Sequence, residues 1–126
     1  MKLLLDTQAL LWWVNDNPKL STLARTAIAD RGNTVLISVA SLWEISIKHR
    51  IGKLEDSGSA VLQEALDNGF EIVGIDAAHL TALDALKPLE GHKDPFDHLI
   101  LVQARTEGAI LVTSDRLLRQ YDLRCL

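Results

Sequence analysis

The sequence predicts an α/β fold: a mostly parallel central sheet of four to five strands with helices on both faces. Short runs rich in Leu, Ile and Val recur at residues 3–5, 35–37, 70–75 and 109–112. Between them, apolar residues fall at helical spacing. Strands alternating with helices in this way make βαβ units, because parallel strands need a long crossover between them. The length of 126 residues fits one domain, taken as residues 1–126, since about 100 to 200 residues per domain is usual.

Residues 3–5 form the first strand, which ends in Asp6, and Leu10, Leu11, Trp13 and Val14 then mark a helix that residues 15–18 break. Ser21 opens a second helix through Leu23, Ala24, Ala27 and Ile28, with Gly32 placed for a left-handed C-terminal cap. Val35, Leu36 and Ile37 read as a buried parallel strand, and Ser41 with Glu44 has the spacing of a capping box for the next helix, which ends near Gly52. A helix over residues 60–66 stops at Asn68 and Gly69, a third strand follows at 70–75, and another helix spans residues 80–86 before Pro88. Asp94 as cap, Pro95 at the first helical position and Asp97 in the first turn start a helix that Gly108 stops. Residues 109–112 give a fourth strand, 115–120 a short helix and 123–126 a last edge strand.

The composition, 48% hydrophobic and 24% charged, is that of a globular chain and excludes a disordered or fibrous one. A lone cysteine, Cys125, can close no internal disulfide and build no zinc cluster, which points to a cytoplasmic setting. No run approaches the roughly 18 apolar residues of a membrane span, and an acid at Asp6 comes too early for a signal peptide. The net charge of −4 lacks the overall basic field of a non-specific DNA coat, so any nucleic-acid contact has to be local.

The placement of the acids carries the chemistry. Asp6 follows the first strand and Asp115 the fourth, at the edge where open α/β sheets bind ligands. Glu44 and Asp97 sit near helix starts that can face the same edge. Each has a plainer reading: Glu44 as the capping-box acid, Asp97 as a first-turn acid, Asp115 as an N-cap. Asp6 is harder to explain away, because an acid ending a buried strand gains little there. Together the four carboxylates would repel unless a cation lay among them. Oxygen donors without Cys or His suit Mg²⁺ or Mn²⁺, which keep waters and accept phosphate oxygens. That chemistry points to phosphodiester hydrolysis, with Glu44 or Asp97 better placed than Asp115 to orient the attacking water.

Thr7 and Ser114 adjoin these acids and would orient them or hold their waters. Lys48, Arg50, Lys53, Lys93, Arg116 and Arg119 make up six of the 13 Lys and Arg, a positive rim that would admit a polyanion despite the negative total. His98 joins them as a phosphate contact; His49 and His92 read as surface residues with the same potential, and His79 as structural. Of the three tryptophans at least one should be core, while Trp12 and Trp13, adjacent on a helix, face different ways, so that one is free to anchor a partner.

Residues 4–7 (Leu-Leu-Asp-Thr) with Leu10, the Ser41-Leu42-Trp43-Glu44-Ile45 segment, Asp94-Pro95-Phe96-Asp97 at a helix start, and Thr113-Ser114-Asp115 together resemble the PIN-domain ribonucleases, especially the VapC-type toxins of bacterial toxin–antitoxin pairs. The resemblance runs nearly end to end and implies a PIN-like domain. Asp6, Glu44, Asp97 and Asp115 match that family's acidic metal-binding positions, and Thr113 and Ser114 fall in its hydroxyl-bearing segment before the last acid. It implies a Mg²⁺- or Mn²⁺-dependent endoribonuclease that cuts tRNA, rRNA or mRNA to arrest translation. It also implies a homodimer, silenced by a small antitoxin and touching DNA only through that antitoxin. His98 departs from the Arg common in similar sequences after the third acid, and Ser114 stands where Asn is also common.

Other classes fit less well. A receiver-like module needs an acidic pair at the end of its first strand, where Leu5 precedes Asp6. A dinucleotide-binding fold needs a Gly-rich loop there, and none follows. A haloacid-dehalogenase-like phosphatase needs a second Asp where Gln8 stands. A catalytically silent interaction module stays open, because an intact set of acids shows competence and not use.

Overall fold

Alternation along the first strand divides the interior in two. In β1 (Lys2–Leu5) Leu3 and Leu5 pack into one core and Leu4 into another, as the two-residue period of a strand requires. The computed structural model describes residues 1–126. After β1 come α1 (Thr7–Val14), α2 (Thr22–Ala29), β2 (Thr34–Ser38), α3 (Val39–Arg50) and α4 (Gly58–Asp67). The chain continues through β3 (Glu71–Val73), α5 (Ala77–Ala85), α6 (Pro95–Glu107), β4 (Ile110–Val112) and a 3₁₀ turn at Leu118–Gln120.

The four strands form one parallel sheet in the order β3-β2-β1-β4, with Leu5 opposite both Ile37 and Val112. On one face Leu3, Leu5, Val35, Ile37 and Val112 pack with Leu10 of α1, Ala24 and Ile28 of α2, Ile45 of α3 and Val61 and Ala65 of α4. On the other, Leu4, Leu36 and Leu111 meet Ile100, Leu101 and Ala104 of α6 together with Leu118 and Tyr121. The expected class is met: a single α/β domain, helices on both faces. From β1 the chain runs outward to β2 on one side and returns to β4 on the other. The strand ends of β1 and β4 therefore flank the switch point, where such sheets leave a crevice at their carboxyl edge.

Helix starts decide how side chains enter that crevice. Asp6 caps α1, its Oδ1 accepting the Ala9 N–H at 2.8 Å, and so has a local role that a strand-end acid was not expected to have. Asp94 caps α6 by accepting from Phe96 N–H at 2.9 Å, with Pro95 at the first helical position as expected. Gly108 ends α6 in the left-handed region at φ 64°, where a side chain is disfavoured.

Several local expectations are corrected. α3 begins at Val39 with Ser38 as its cap, three residues before the expected Ser41, because Ser38 Oγ accepts the Ala40 N–H. Ser41 is inside the helix, and Glu44 is in its second turn instead of a capping box. α2 ends at Asp30 in extended conformation, so Gly32 serves no left-handed cap. The expected last strand shrinks to one parallel bridge between Leu111 and Cys125, and the helix expected over 115–120 is a single 3₁₀ turn. No tryptophan is fully buried: Trp12 and Trp13 are half-buried against the first core, and Trp43 is 56% exposed, edge-on to Phe96.

Candidate active site

At the carboxyl edge of β1 and β4 lies a cavity of about 370 Å³ lined by Asp6, Thr7, Gln8, Leu11, Trp12, Glu44, Lys48, Leu54, Asp94, Asp97, Ser114 and Asp115. The four carboxylates singled out in the sequence all reach it, from β1, α3, α6 and the segment after β4. Asp94 adds a fifth. Its capping role hid that second position, and only the three-residue step to Asp97 along one helix face could have revealed it.

The acids fall into two electrostatic kinds. Glu44 is satisfied on both oxygens: Oε1 accepts the Thr7 hydroxyl at 2.7 Å and Oε2 faces Lys48 Nζ at 2.9 Å. Lys48 is the one cation on the cavity wall. The three aspartates each hold the scaffold by one oxygen. Asp6 Oδ1 accepts from Ala9 N–H, Asp97 Oδ2 lies 3.2 Å from His92 Nε2, and Asp115 Oδ1 accepts from Leu117 N–H at 2.7 Å. No buried side-chain polar atom lacks a partner, so any oxygen of these aspartates that accepts no hydrogen bond is touched by solvent.

Their ionisation reflects this crowding. Burial pushes the Asp6 carboxyl up to about 6; Asp97 and Asp115 add to the rise, while the Thr113 hydroxyl and the Ala9 N–H oppose it. Burial likewise raises Asp97, with Asp94 and Asp115 reinforcing it and the His92 hydrogen bond opposing. A proton is therefore easier to place on these two groups than on ordinary carboxylates, and a cation nearby would relieve the same cost.

The donor set fits Mg²⁺ or Mn²⁺. No three His, Cys, Asp or Glu side chains are grouped closely enough to close a cage by themselves, and Mg²⁺ asks for none, since it takes one or two carboxylates and completes its shell with water and phosphate oxygens. The hard oxygens of Asp6, Asp97 and Asp115 are suited to it and no thiolate competes.

The remaining sequence candidates divide. Ser114 lines the cavity, Thr7 holds Glu44 and also reaches Ser41 Oγ at 3.1 Å, and buried Thr113 accepts the Asp115 N–H at 3.0 Å. Of the basic candidates only Lys48 is on the cavity wall; Arg50, Lys53, Lys93, Arg116 and Arg119 are exposed outside it, with Arg119 Nε donating to Thr113 O at 3.0 Å. His98 is turned inward, its Nε2 2.9 Å from the His92 carbonyl. His92 is the clearest correction: expected at the surface, it is 4% exposed and touches Asp97. Trp12 lines the cavity, whereas Trp13 packs on Phe70 with ring centroids 5.9 Å apart.

Residues 3–123 match the PIN domain family. The chain belongs to that family. A curated relative of this PIN domain, Ribonuclease VapC16 of Mycobacterium tuberculosis, is 40% identical over 58 residues, which is 44% of this chain and 41% of that protein. The match thus spans less than half the length of the relative. Among solved structures, VapBC2 of Rickettsia felis bound to a DNA fragment from its promoter superposes with a TM-score of 0.72 at 21% identity, covering 100% of this chain and 97% of that one. VapC20 of M. tuberculosis, a toxin that cleaves the sarcin–ricin loop, gives 0.67 at 15% identity, covering 98% of each chain. At such identities the two structures establish the PIN fold.

Proposed function

We propose that this PIN domain is a Mg²⁺- or Mn²⁺-dependent endoribonuclease, the toxin of a toxin–antitoxin pair, which slows translation by hydrolysing phosphodiester bonds of tRNA, rRNA or mRNA. The observation that carries the reading is the convergence of Asp6, Glu44, Asp97 and Asp115 on one cavity at the switch point of the sheet, with a single cation among them. The 40% identity to a VapC ribonuclease over part of the chain supports it.

Asp6, Asp97 and Asp115 would hold the ion through the oxygens that the scaffold leaves to the cavity. The ion would supply charge neutralisation at the phosphate and a more acidic attacking water. Glu44, anchored by Thr7 and Lys48, would take a proton from that water or orient it, with Asp97 the other candidate. Lys48 is long enough to leave Glu44 for a phosphate oxygen. Arg50, Lys53, Lys93, His98, Arg116 and Arg119 would guide RNA only outside the cavity, and Trp12 would give its wall an apolar contact for whatever enters.

An antitoxin covering this acidic cavity would silence the enzyme in the cytoplasm; DNA contact would come through that partner, and the toxin would act as a homodimer. A structure of the same fold solved as a toxin–antitoxin complex from Klebsiella pneumoniae, with a TM-score of 0.61 at 19% identity, supports the partner. No helix here is long and apolar enough to cross a membrane.

Calorimetric titration of Mn²⁺ into the wild-type chain and into an Asp6→Asn, Asp97→Asn variant tests the reading, beside cleavage of a labelled total-tRNA substrate. Binding and cleavage by the wild type alone are expected. Absence of Mn²⁺ binding by both, with oligonucleotide present, would leave the aspartates as helix and turn caps and favour a catalytically silent interaction module.

A further inference from the structure

Behind Asp97 stands a buried chain of polar groups that the proposed hydrolysis does not use. Tyr121 Oη accepts the Leu89 N–H at 2.9 Å and lies 2.7 Å from His92 Nδ1; His92 Nε2 in turn lies 3.2 Å from Asp97 Oδ2. Both rings are buried, at 8% and 4% exposure. The His92 ring is also fixed from the side, edge-on to His98 with centroids 4.6 Å apart, while His98 Nε2 reaches the His92 carbonyl at 2.9 Å.

For a neutral imidazole, hydrogen-bond accounting gives the direction in which this chain runs. Tyr121 Oη already accepts from Leu89, so its own proton is available to His92 Nδ1, the acceptor it faces at 2.7 Å. Nδ1 is then a lone pair, and the ring proton sits on Nε2, pointing at the carboxylate. The reverse arrangement would set the Nε2 lone pair against Asp97 Oδ2 and leave the buried Tyr121 hydroxyl proton without an acceptor. Asp97 therefore has one oxygen held from behind and the other turned to the cavity.

We propose that His92 and Tyr121 are positioning residues: through an oriented Leu89–Tyr121–His92–Asp97 relay they fix Asp97 as a one-oxygen ligand for the metal. This rests on the metal-dependent reading of the site. It also assigns a role to the segment before α6 and to the chain after β4, which the relay ties together behind the carboxylate. Outer partners of this kind are commonly worth about 10- to 100-fold in metal affinity.

Two near-isosteric substitutions separate positioning from filling. His92→Gln can place an N–H where Nε2 stood and keep the bond to Asp97; His92→Asn reaches only the Tyr121 side. The relay predicts that Mn²⁺ affinity by calorimetry falls at least about tenfold for His92→Asn and stays within about threefold for His92→Gln, with kcat following affinity and KM for RNA little changed. Equal losses in both variants, or none in either, would overturn it. Independently of metal, nitrogen-15 spectra of the imidazole should show the Nε2–H tautomer in the wild type and its loss of preference in Tyr121→Phe. An Nδ1–H wild type would overturn the relay whether or not Mn²⁺ binds. An Nε2–H ring in a wild type that binds no Mn²⁺ would instead overturn the metal reading, and with it the use proposed for the relay.

Discussion

Lys48 Nζ lies 2.9 Å from Glu44 Oε2, one helical turn away along α3, and is the sole cation facing five carboxylates. This pair makes Glu44 electrostatically different from the aspartates around it. Removing the ammonium should have opposite effects on the two ligands of the cavity. Lys48→Met should tighten Mn²⁺ binding by about fivefold, the ~1 kcal/mol by which a unit charge repels a divalent ion about 8 Å away through water. It should raise KM for RNA by a similar factor, and both effects should shrink with added salt. A variant in which metal and RNA affinities move in the same direction would exclude this division of labour.

Thr7 gives a second test, because its hydroxyl lies 2.7 Å from Glu44 Oε1 and ties the start of α1 to α3. Thr7→Ser keeps that donor and should retain activity. Thr7→Val fills the same space without it, which should cost about 1 kcal/mol of stability and lower kcat without changing KM. Thermal melts beside initial-rate measurements check this, and equal behaviour of the two variants would refute it.

Acid should stabilise the metal-free protein through Asp6. Its folded pKa of about 6 is above the ordinary 3.8, so between those values the native state holds more proton than the unfolded chain. Stability is then lost as pH rises through this window, by an amount of order 3 kcal/mol at 1.36 kcal/mol per pH unit. Asp6→Asn keeps a good capping residue for α1 and removes the ionisation. Urea melts from pH 4 to 7 should show the wild type falling relative to this variant, and saturating Mn²⁺ should cancel the difference. Parallel curves for the two proteins would contradict the burial argument.

Gly58 carries a steric prediction away from the chemistry. A Cβ there would stand 2.8 Å from the Leu42 carbonyl oxygen and collide with Ser46 Oγ. The hydroxyl can rotate, but the carbonyl belongs to α3 and cannot move without it. Gly58→Ala should cost about 1–3 kcal/mol, the usual penalty for overpacking, and leave Mn²⁺ affinity per folded molecule unchanged. An unaltered denaturation midpoint would mean that α4 slides freely over α3.

Much of this was legible in the sequence because the signals are local. Leu3–Leu5 and Val35–Ile37 are buried on both faces and read as unbroken apolar runs. Asp94, Pro95 and Gly108 mark the ends of α6 by their own backbone chemistry. The sequence leaves the start of α3 open because Ser38 and Ser41 can both cap, and only the strand pairing of Thr34–Ser38 with β1 and β3 decides between them. Asp6, Asp97 and Asp115 stand out in the sequence because they follow strands or open a helix at the edge where the cavity lies, whereas Glu44 reaches that cavity from the second turn of α3 and not from the expected capping box. The partners that tell the four apart do not stand out there: Thr7 meets Glu44 across 37 positions and Tyr121 meets His92 across 29. Such contacts exist only after folding, so His92 looked like any surface histidine.

The two adjacent tryptophans supply the last test. Neighbours on a helix point about 100° apart, and here Trp13 packs on Phe70 while Trp12 turns to the acidic cavity beside Leu11 and Leu54. Trp13→Ala removes a core contact and an aromatic pair, so it should lower stability by about 3 kcal/mol and leave ligand affinity per folded molecule intact. Trp12→Ala, which also gives up some core packing, should in addition lower ligand affinity per folded molecule. Its ring is the large aromatic surface on a wall otherwise rich in carboxylates, and stacking one base there is worth about 1–3 kcal/mol, a loss of roughly 5- to 150-fold in binding an uncleaved RNA oligonucleotide. Quenching of fluorescence in Trp13→Phe but not in Trp12→Phe on adding that oligonucleotide would locate the contact. Quenching that survives Trp12→Phe would place the RNA elsewhere and leave Trp12 to a protein partner.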